Sequence, residues 1–126
     1  MKTPFLVVAT VIAALVVAGS ALAVASFVTP GKVVYCGLSE GEGPLHLICW
    51  RPADGLTFRI GRFGRAQKWI NRRNRGFHDV AGRVLRYGQT WSGARSFRCV
   101  SRVTGLTCVN RARHGWWIGR HRSRLL

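Results

Sequence analysis

Few side chains in this chain could carry acid–base catalysis. The acids are Glu40, Glu42, Asp54 and Asp79, and there are four histidines. Catalysis of this kind needs carboxylates or imidazoles placed together at a substrate, but Glu40, Glu42 and Asp54 fall in or beside turns. His78 and Asp79 are neighbours, whose side chains would point apart on a strand. No phosphate-binding glycine loop and no nucleophile-elbow motif occurs. The sequence therefore predicts no enzyme and no catalytic residue.

Cysteine offers a second kind of chemistry. The four cysteines are Cys36, Cys49, Cys99 and Cys108. An even number of cysteines in an exported chain indicates disulfides. Zinc sites usually contain cysteine pairs two to four residues apart, whereas the successive separations here are 13, 50 and 9 positions. We therefore predict two disulfides, with no metal and no cofactor.

Positive charge is the strongest compositional signal. Lys and Arg number 20 against 4 Asp and Glu, a net charge of +16. Such a field attracts phosphates, carboxylates and anionic lipid headgroups. Seven basic residues fall within 17 positions that contain no acid: Arg59, Arg62, Arg65, Lys68, Arg72, Arg73 and Arg75. We predict that they bind an anion, the alternative being an ordinary solvated charged surface.

The structure of this basic segment is left open by its sequence. Steps of three and four residues from Arg59 to Arg72 suit one face of a helix, but Gly61 and Gly64 oppose a helix at its start. The segment is therefore interpreted as a loop or a short helix. Trp69, Ile70 and Phe77 are expected to anchor it on the core.

An aromatic block near the end of the chain is the other candidate site. His114 precedes Gly115 and the pair Trp116 and Trp117, and the three larger side chains could form a shelf for a ligand. Packing of this block on the core as a strand is the preferred interpretation. Exposure of the two tryptophans would favour a protein-binding function.

Two hairpins must position the cysteines. The segments around Cys36 and Cys49 are rich in strand-forming residues, and the four residues 41–44 between them have turn composition. Pairing across this loop places Cys36 opposite Cys49, within disulfide range. The same argument, with a loop at residues 102–105, places Cys99 opposite Cys108.

The rest of the chain also favours strands. Alternation predicts strands at 56–60 and 83–87, and Gly88 marks a bend or bulge before Trp91. No internal repeat is evident beyond the two cysteine hairpins. The prediction is one small, mainly β domain with two disulfide-closed β-hairpins, which follows an N-terminal signal or hydrophobic helix.

The N-terminus indicates export. An apolar run from Phe5 to Ala18 is followed by two small-x-small sites that end at Ala23 and Ala25, as in a secretory signal peptide. Residues 1–25 are therefore predicted to be a signal peptide and 26–126 an extracytoplasmic domain. An uncleaved anchor over residues 5–28 is the alternative, because about 20 apolar residues span a bilayer.

Several short segments resemble a family of exported bacterial disulfide-bonded domains of unknown function. They are YGQTW (87–91), FRCVS (97–101), GLTCVN (105–110) and HGWW (114–117), preceded by FVTP (27–30) and ICWRP (48–52). In place of a further cysteine pair that many members carry in the middle, this chain has the basic segment. The resemblance implies export and a small disulfide-bonded domain, and it implies no reaction or ligand.

These observations favour a non-enzymatic binding module in the cell envelope or outside the cell. Its expected partner is anionic, either a wall polymer, lipid or nucleic acid, or an acidic protein, and a membrane surface is a further candidate. The alternative is a protein-binding or inhibitor-like envelope protein that uses the aromatic block. Sequence-specific nucleic-acid recognition is disfavoured, because no known reading motif is present.

Overall fold

The fold is a sandwich of two antiparallel β-sheets. A computed structural model of the chain describes residues 26–40, 43–73 and 83–126. Each sheet has five strands in sequence order. The first contains β1 (Ser26–Val28), β2 (Tyr35–Ser39), β3 (His46–Arg51), β4 (Leu56–Gly61) and β5 (Gln67–Ile70). The second contains β6 (Thr90–Gly93), β7 (Phe97–Arg102), β8 (Gly105–Asn110), β9 (Gly115–Ile118) and β10 (Ser123–Leu125). The predicted mainly β class is confirmed.

Both predicted hairpins and both disulfides are present. In the β2–β3 pair Cys36 faces Cys49, and in the β7–β8 pair Cys99 faces Cys108. Each disulfide joins Cα atoms 4.1 Å apart. The second loop is shorter than predicted, because Arg102 still pairs with Gly105. The register is unchanged, since the extra pair only continues the same ladder.

A row of aromatic and cysteine residues crosses the inner face of each sheet. In the first sheet Phe27 faces Cys36, and Cys49 faces Phe58. Trp91, Cys99, Cys108 and Trp116 form the equivalent row in the second sheet. All eight residues belong to one buried cluster. The repeat therefore extends beyond the cysteine hairpins recognised in the sequence and includes the strands on either side of them.

These two rows contact one another across the sandwich. The rings of Phe27 and Trp91 have centroids 5.1 Å apart, and Phe58 stacks on Trp116 at 5.2 Å. Between them, the Sγ atoms of Cys49 and Cys108 lie 4.0 Å apart. Each half of the chain therefore supplies one wall of a common core, with the disulfides at its centre.

The segment before β6 differs from its prediction. Residues 83–87 do not form a strand, and Val84 makes only an isolated parallel bridge to Val28. The predicted bend at Gly88 is confirmed: its φ is 86°, and its N–H donates to the carbonyl of Ser101. This turn separates the bridge at Val84 from β6, so residues 83–91 do not form one continuous strand despite the alternation in their sequence.

The predicted signal segment, residues 1–25, lies outside the described residues, as does Phe77. Within the part of the chain that the structure describes, no helix has the length and apolarity needed to cross a bilayer.

Candidate anion-binding site

The basic segment forms a β-hairpin at the edge of the first sheet. Arg59 lies on β4, Arg62 and Arg65 lie in the turn, and Lys68 lies on β5. Arg72 and Arg73 follow in the next turn, while Arg75 lies outside the described residues. The helix-or-loop prediction is wrong for this segment. The β4 segment continues the ladder from β3, Gly61 begins the turn, and the chain returns as β5.

The cations surround this hairpin without sharing one face. Arg59 pairs with Gln67, whereas Lys68 pairs with the core residue Phe58. Since neighbouring residues on a strand point to opposite faces, Arg59 and Lys68 project from opposite sides of the sheet. The strand between the two turns is about 10 Å long. The hairpin therefore carries cations along its whole length.

The hydrophobic residues of β5 do not anchor the hairpin on the core, contrary to the prediction. Trp69 is 39% exposed and Ile70 is 57% exposed. The buried cluster ends at β4, where Phe58 and Ile60 are enclosed. Strand β5 is the outermost strand of its sheet, so no further strand covers it.

Asn110 holds the cationic turn from the opposite sheet. Its buried side chain donates through Nδ2 to the carbonyls of Gly61, at 3.0 Å, and Gly64, at 2.8 Å. Its Oδ1 accepts from the backbone N–H groups of Ala112 and His114. Two hydrogen bonds of this amide therefore hold the backbone of the turn that carries Arg62, and the other two fix the amide itself to the loop after β8.

Arg51 makes the equivalent contact in the other direction. Its Nη1 donates to the carbonyls of Gly119, at 2.8 Å, and Arg122, at 3.0 Å, in the β9–β10 turn. Arg51 and Asn110 each follow the second cysteine of their hairpin by two residues. We call these two contacts the reciprocal clasp, because each sheet holds the last turn of the other. Sequence reasoning missed the clasp, although the shared spacing from cysteine was its visible signal.

Asp54 is neutralised by Arg51. The Arg51 guanidinium donates through Nε to Oδ1 at 3.0 Å and through Nη2 to Oδ2 at 2.6 Å. This hydrogen bonding holds the pKa of Asp54 below its ordinary value of 3.8. A lowered pKa means that the folded domain gains stability from the ionised carboxylate at higher pH and loses it as the pH falls below that value.

The hairpin cations have no carboxylate partner among residues 26–40, 43–73 and 83–126. The salt bridge found in these ranges is that of Arg51 with Asp54. The other acid described, Glu40, is exposed near the β2–β3 loop. Among the described residues, no carboxylate therefore offsets the charge of these cations.

The predicted ligand shelf is divided by the fold. Trp116 is fully buried in the core, and its packing role is confirmed. Trp117 is half-buried on the outer face, with the Arg124 guanidinium 5.8 Å from its ring centroid. His114 lines a cavity that also contacts Arg65. The three residues do not form a common surface.

The second sheet contributes cations that the prediction omitted. Arg120 and Arg122 are exposed in the β9–β10 turn, which is held by Arg51, and β10 is the outermost strand of its sheet. This turn is the structural counterpart of the one that carries Arg62. The sequence analysis recognised only the cysteine hairpins as a repeat, and the correspondence of these two turns appears when the strands that follow each hairpin are compared as well.

Comparisons with protein-family models, with curated proteins and with solved structures find no match for this chain. The resemblance to the exported bacterial family therefore remains a prediction from the short segments that carry it.

Replacing the clasp amide should loosen the cationic turn. In Asn110→Ala the carbonyls of Gly61 and Gly64 lose their donor, and we expect a loss of roughly 2–3 kcal/mol in the free energy of unfolding. Urea denaturation measures this loss, and amide hydrogen exchange should rise in residues 61–66. Asn71→Ala is the matched control, because its Oδ1 accepts one exposed hydrogen bond from Arg73. Equal effects of the two substitutions would contradict the role assigned to Asn110.

Proposed function

We propose that this protein is a non-enzymatic extracytoplasmic module that binds an anionic partner through its β4–β5 hairpin. The observation that carries the proposal is that the β4–β5 hairpin and the turn after it hold six described cations, five of them exposed, with no described carboxylate paired to them. The partner would carry phosphate or carboxylate groups, as wall polymers, lipids and nucleic acids do.

The chemistry of the hairpin supports this proposal. An arginine guanidinium presents two parallel N–H donors that match phosphate or carboxylate oxygens. The turn with Arg62 is fixed by Asn110, so little backbone ordering is needed when an anion binds. Because the cations lie on both sides of an edge strand, a flexible anionic chain that follows this edge could contact several of them.

The disulfides support a location outside the cytoplasm. Both are closed and buried, and such bonds persist mainly in oxidising compartments. Export through residues 1–25, followed by cleavage or retention as an anchor, is the route we propose.

The alternative function, protein binding through the aromatic block, has weaker support. Burial of Trp116 removes one of the two tryptophans of that block from the surface, and Trp117 is half-buried. An acidic protein that contacts the hairpin remains within the proposed partner class, because its carboxylates would meet the same cations.

The proposal is tested by exchanging arginines at two edges of the sandwich. Changing Arg62, Arg65, Arg72 and Arg73 together to Gln should weaken binding to duplex DNA, used as a model polyanion. If each contacts one phosphate, the slope of log affinity against log salt should become smaller by about 3.6. Fluorescence anisotropy over a salt series measures both the affinity and its slope.

The matched control changes Arg86, Arg95, Arg98 and Arg102 to Gln. These residues are exposed, and they lie on β7 or near β6, at the opposite edge of the second sheet. The control has the same net charge as the test variant and should keep most of the affinity. Equal weakening would show that only net charge acts, and no binding by the wild-type domain at low salt would refute the proposal.

A further inference from the structure

A cleft opens beside the cationic hairpin, between its β4–β5 turn and the end of β10. It encloses about 370 Å³ and is lined by Arg65, Ala66, His114, Leu125 and Leu126. This volume lies within the range of small-molecule sites. The lining combines an apolar part, made by Ala66 and the two leucines, with the exposed guanidinium of Arg65.

The apolar part of the cleft belongs to the inner face of the sandwich. Leu125 pairs with the core residue Trp116, so both lie in the same row across the second sheet. Leu125 is nevertheless 48% exposed, and Leu126 is 44% exposed. On the facing sheet Ile70 pairs with buried Leu56 and is also exposed. Leu125 and Ile70 are therefore partly exposed inner-face residues of the two outermost strands, although the core residues Trp116 and Leu56 beside them are buried. Of the two, Leu125 lines the cleft.

We propose that this cleft binds the alkyl chain of an anionic amphiphile. The chain would cover Leu125 and Leu126, and the phosphate or carboxylate head would bind Arg65, with the His114 imidazole as a second polar group. This inference rests on the proposed function, because Arg65 belongs to the anion-binding hairpin. It narrows the partner from anions in general to molecules with an alkyl chain next to the charge.

The charge and the apolar surface of the cleft together favour this occupant. A hydrophilic polyanion would satisfy Arg65 but leave the leucines in water. A second copy of this chain would bring two cation-rich edges together, which like-charge repulsion opposes. An amphiphile satisfies both parts of the lining at once, since its chain removes apolar surface from water and its head meets the cation.

Binding of dodecyl phosphate below its micelle concentration tests the inference, with calorimetry as the measurement. We expect one site per chain and an affinity at least tenfold above those for inorganic phosphate, which lacks the chain, and dodecyl maltoside, which lacks the charge. Leu125→Ser with Leu126→Ser should reduce the affinity for dodecyl phosphate roughly tenfold, because the alkyl chain no longer buries the apolar surface of two half-exposed leucines. Val103→Ser, in the exposed β7–β8 loop, is the control and should leave it unchanged.

The outcomes separate this inference from the proposed function. The leucine variant should still bind duplex DNA with wild-type affinity, whereas the variant with four arginines changed should lose affinity for both probes. If dodecyl phosphate binds no more tightly than inorganic phosphate, or if the leucine variant binds it normally, the cleft inference is wrong while the anion-binding proposal stands. Dimer formation that the leucine variant abolishes would show that a second copy occupies the cleft, which also refutes the inference.

Discussion

Removal of both disulfides is expected to unfold the domain. The bonded cysteines are 13 and 9 positions apart in the sequence. By restricting the unfolded chain, each bond is expected to add about 3 kcal/mol to the free energy of unfolding. Their sum of about 6 kcal/mol compares with the roughly 5–15 kcal/mol total stability of a typical domain. The sulfurs also contact one another between the sheets, so replacing all four cysteines with Ala would leave a cavity as well. Circular dichroism and urea denaturation of the oxidised, reduced and all-Ala proteins measure the effect.

The single-bond variants provide the control for this result. Cys36→Ala with Cys49→Ala, and Cys99→Ala with Cys108→Ala, should each lose about half of the total. Peptide mapping without reduction should recover the two local linkages and no free thiol. An unchanged urea midpoint after full reduction, or a peptide that links Cys36 to Cys99, would contradict the register on which the prediction depends.

Loss of the charged half of the reciprocal clasp is expected to have the next largest effect. Arg51 is only 4% exposed, and Arg51→Ala would remove its hydrogen bonds to Asp54 and to the carbonyls of Gly119 and Arg122. Asp54 would keep the Leu56 N–H, and the Arg122 carbonyl would keep the Gly119 N–H. Removing one partner of such a buried pair typically costs about 3–5 kcal/mol. Since Asp54 is partly exposed and remains hydrated, we expect a value near the lower end. Urea denaturation under oxidising conditions gives the difference in unfolding free energy.

Two further substitutions distinguish the clasp from a general charge effect. Arg120→Ala removes an exposed arginine from the turn that Arg51 holds and should change stability by less than about 0.5 kcal/mol. Arg51→Lys keeps the charge but cannot donate to Asp54 and both carbonyls at once. Its free energy of unfolding should therefore lie between those of Arg51→Ala and the wild type. Wild-type stability in Arg51→Lys would mean that the charge alone matters and the fork geometry does not.

The hairpins could be predicted from sequence because their contacts are local. Cys36 and Cys49 are close in the chain, and counting across a turn is enough to place them opposite one another. The contact between Cys49 and Cys108 spans 59 positions, and no local pattern encodes it. The face-to-face packing of the two halves was therefore beyond sequence reasoning, although the equal spacing of Arg51 and Asn110 from the second cysteine of each hairpin was already present.

The sequence predicts a loop or short helix for the candidate site, whereas the structure forms a β-hairpin there. The cations are spaced three and four residues apart, as on one face of a helix. The segment nevertheless forms a hairpin, because residues 56–61 form a strand and glycines follow within and after it. The hydrophobic side chains of Trp69 and Ile70 predicted contact with the core, but both residues lie on an outermost strand and are exposed. Arginine is rarely buried unless it is paired, and Arg51 is buried because it has hydrogen-bond partners on the other sheet.

The reciprocal clasp also sets the order in which the domain can form. When the chain emerges from its N-terminal end, β1–β5 can pair and close the first disulfide before any strand of the second sheet has appeared. At that stage Arg51 has no turn to hold, the turn with Arg62 has no Asn110, and the inner faces of Phe27 and Phe58 have no opposite wall. The first half is then a cation-rich sheet with one face uncovered, a type of intermediate prone to aggregation. Stable structure in either half must therefore await the synthesis of nearly the entire chain, so a nascent protein truncated before residue 115 should remain sensitive to protease.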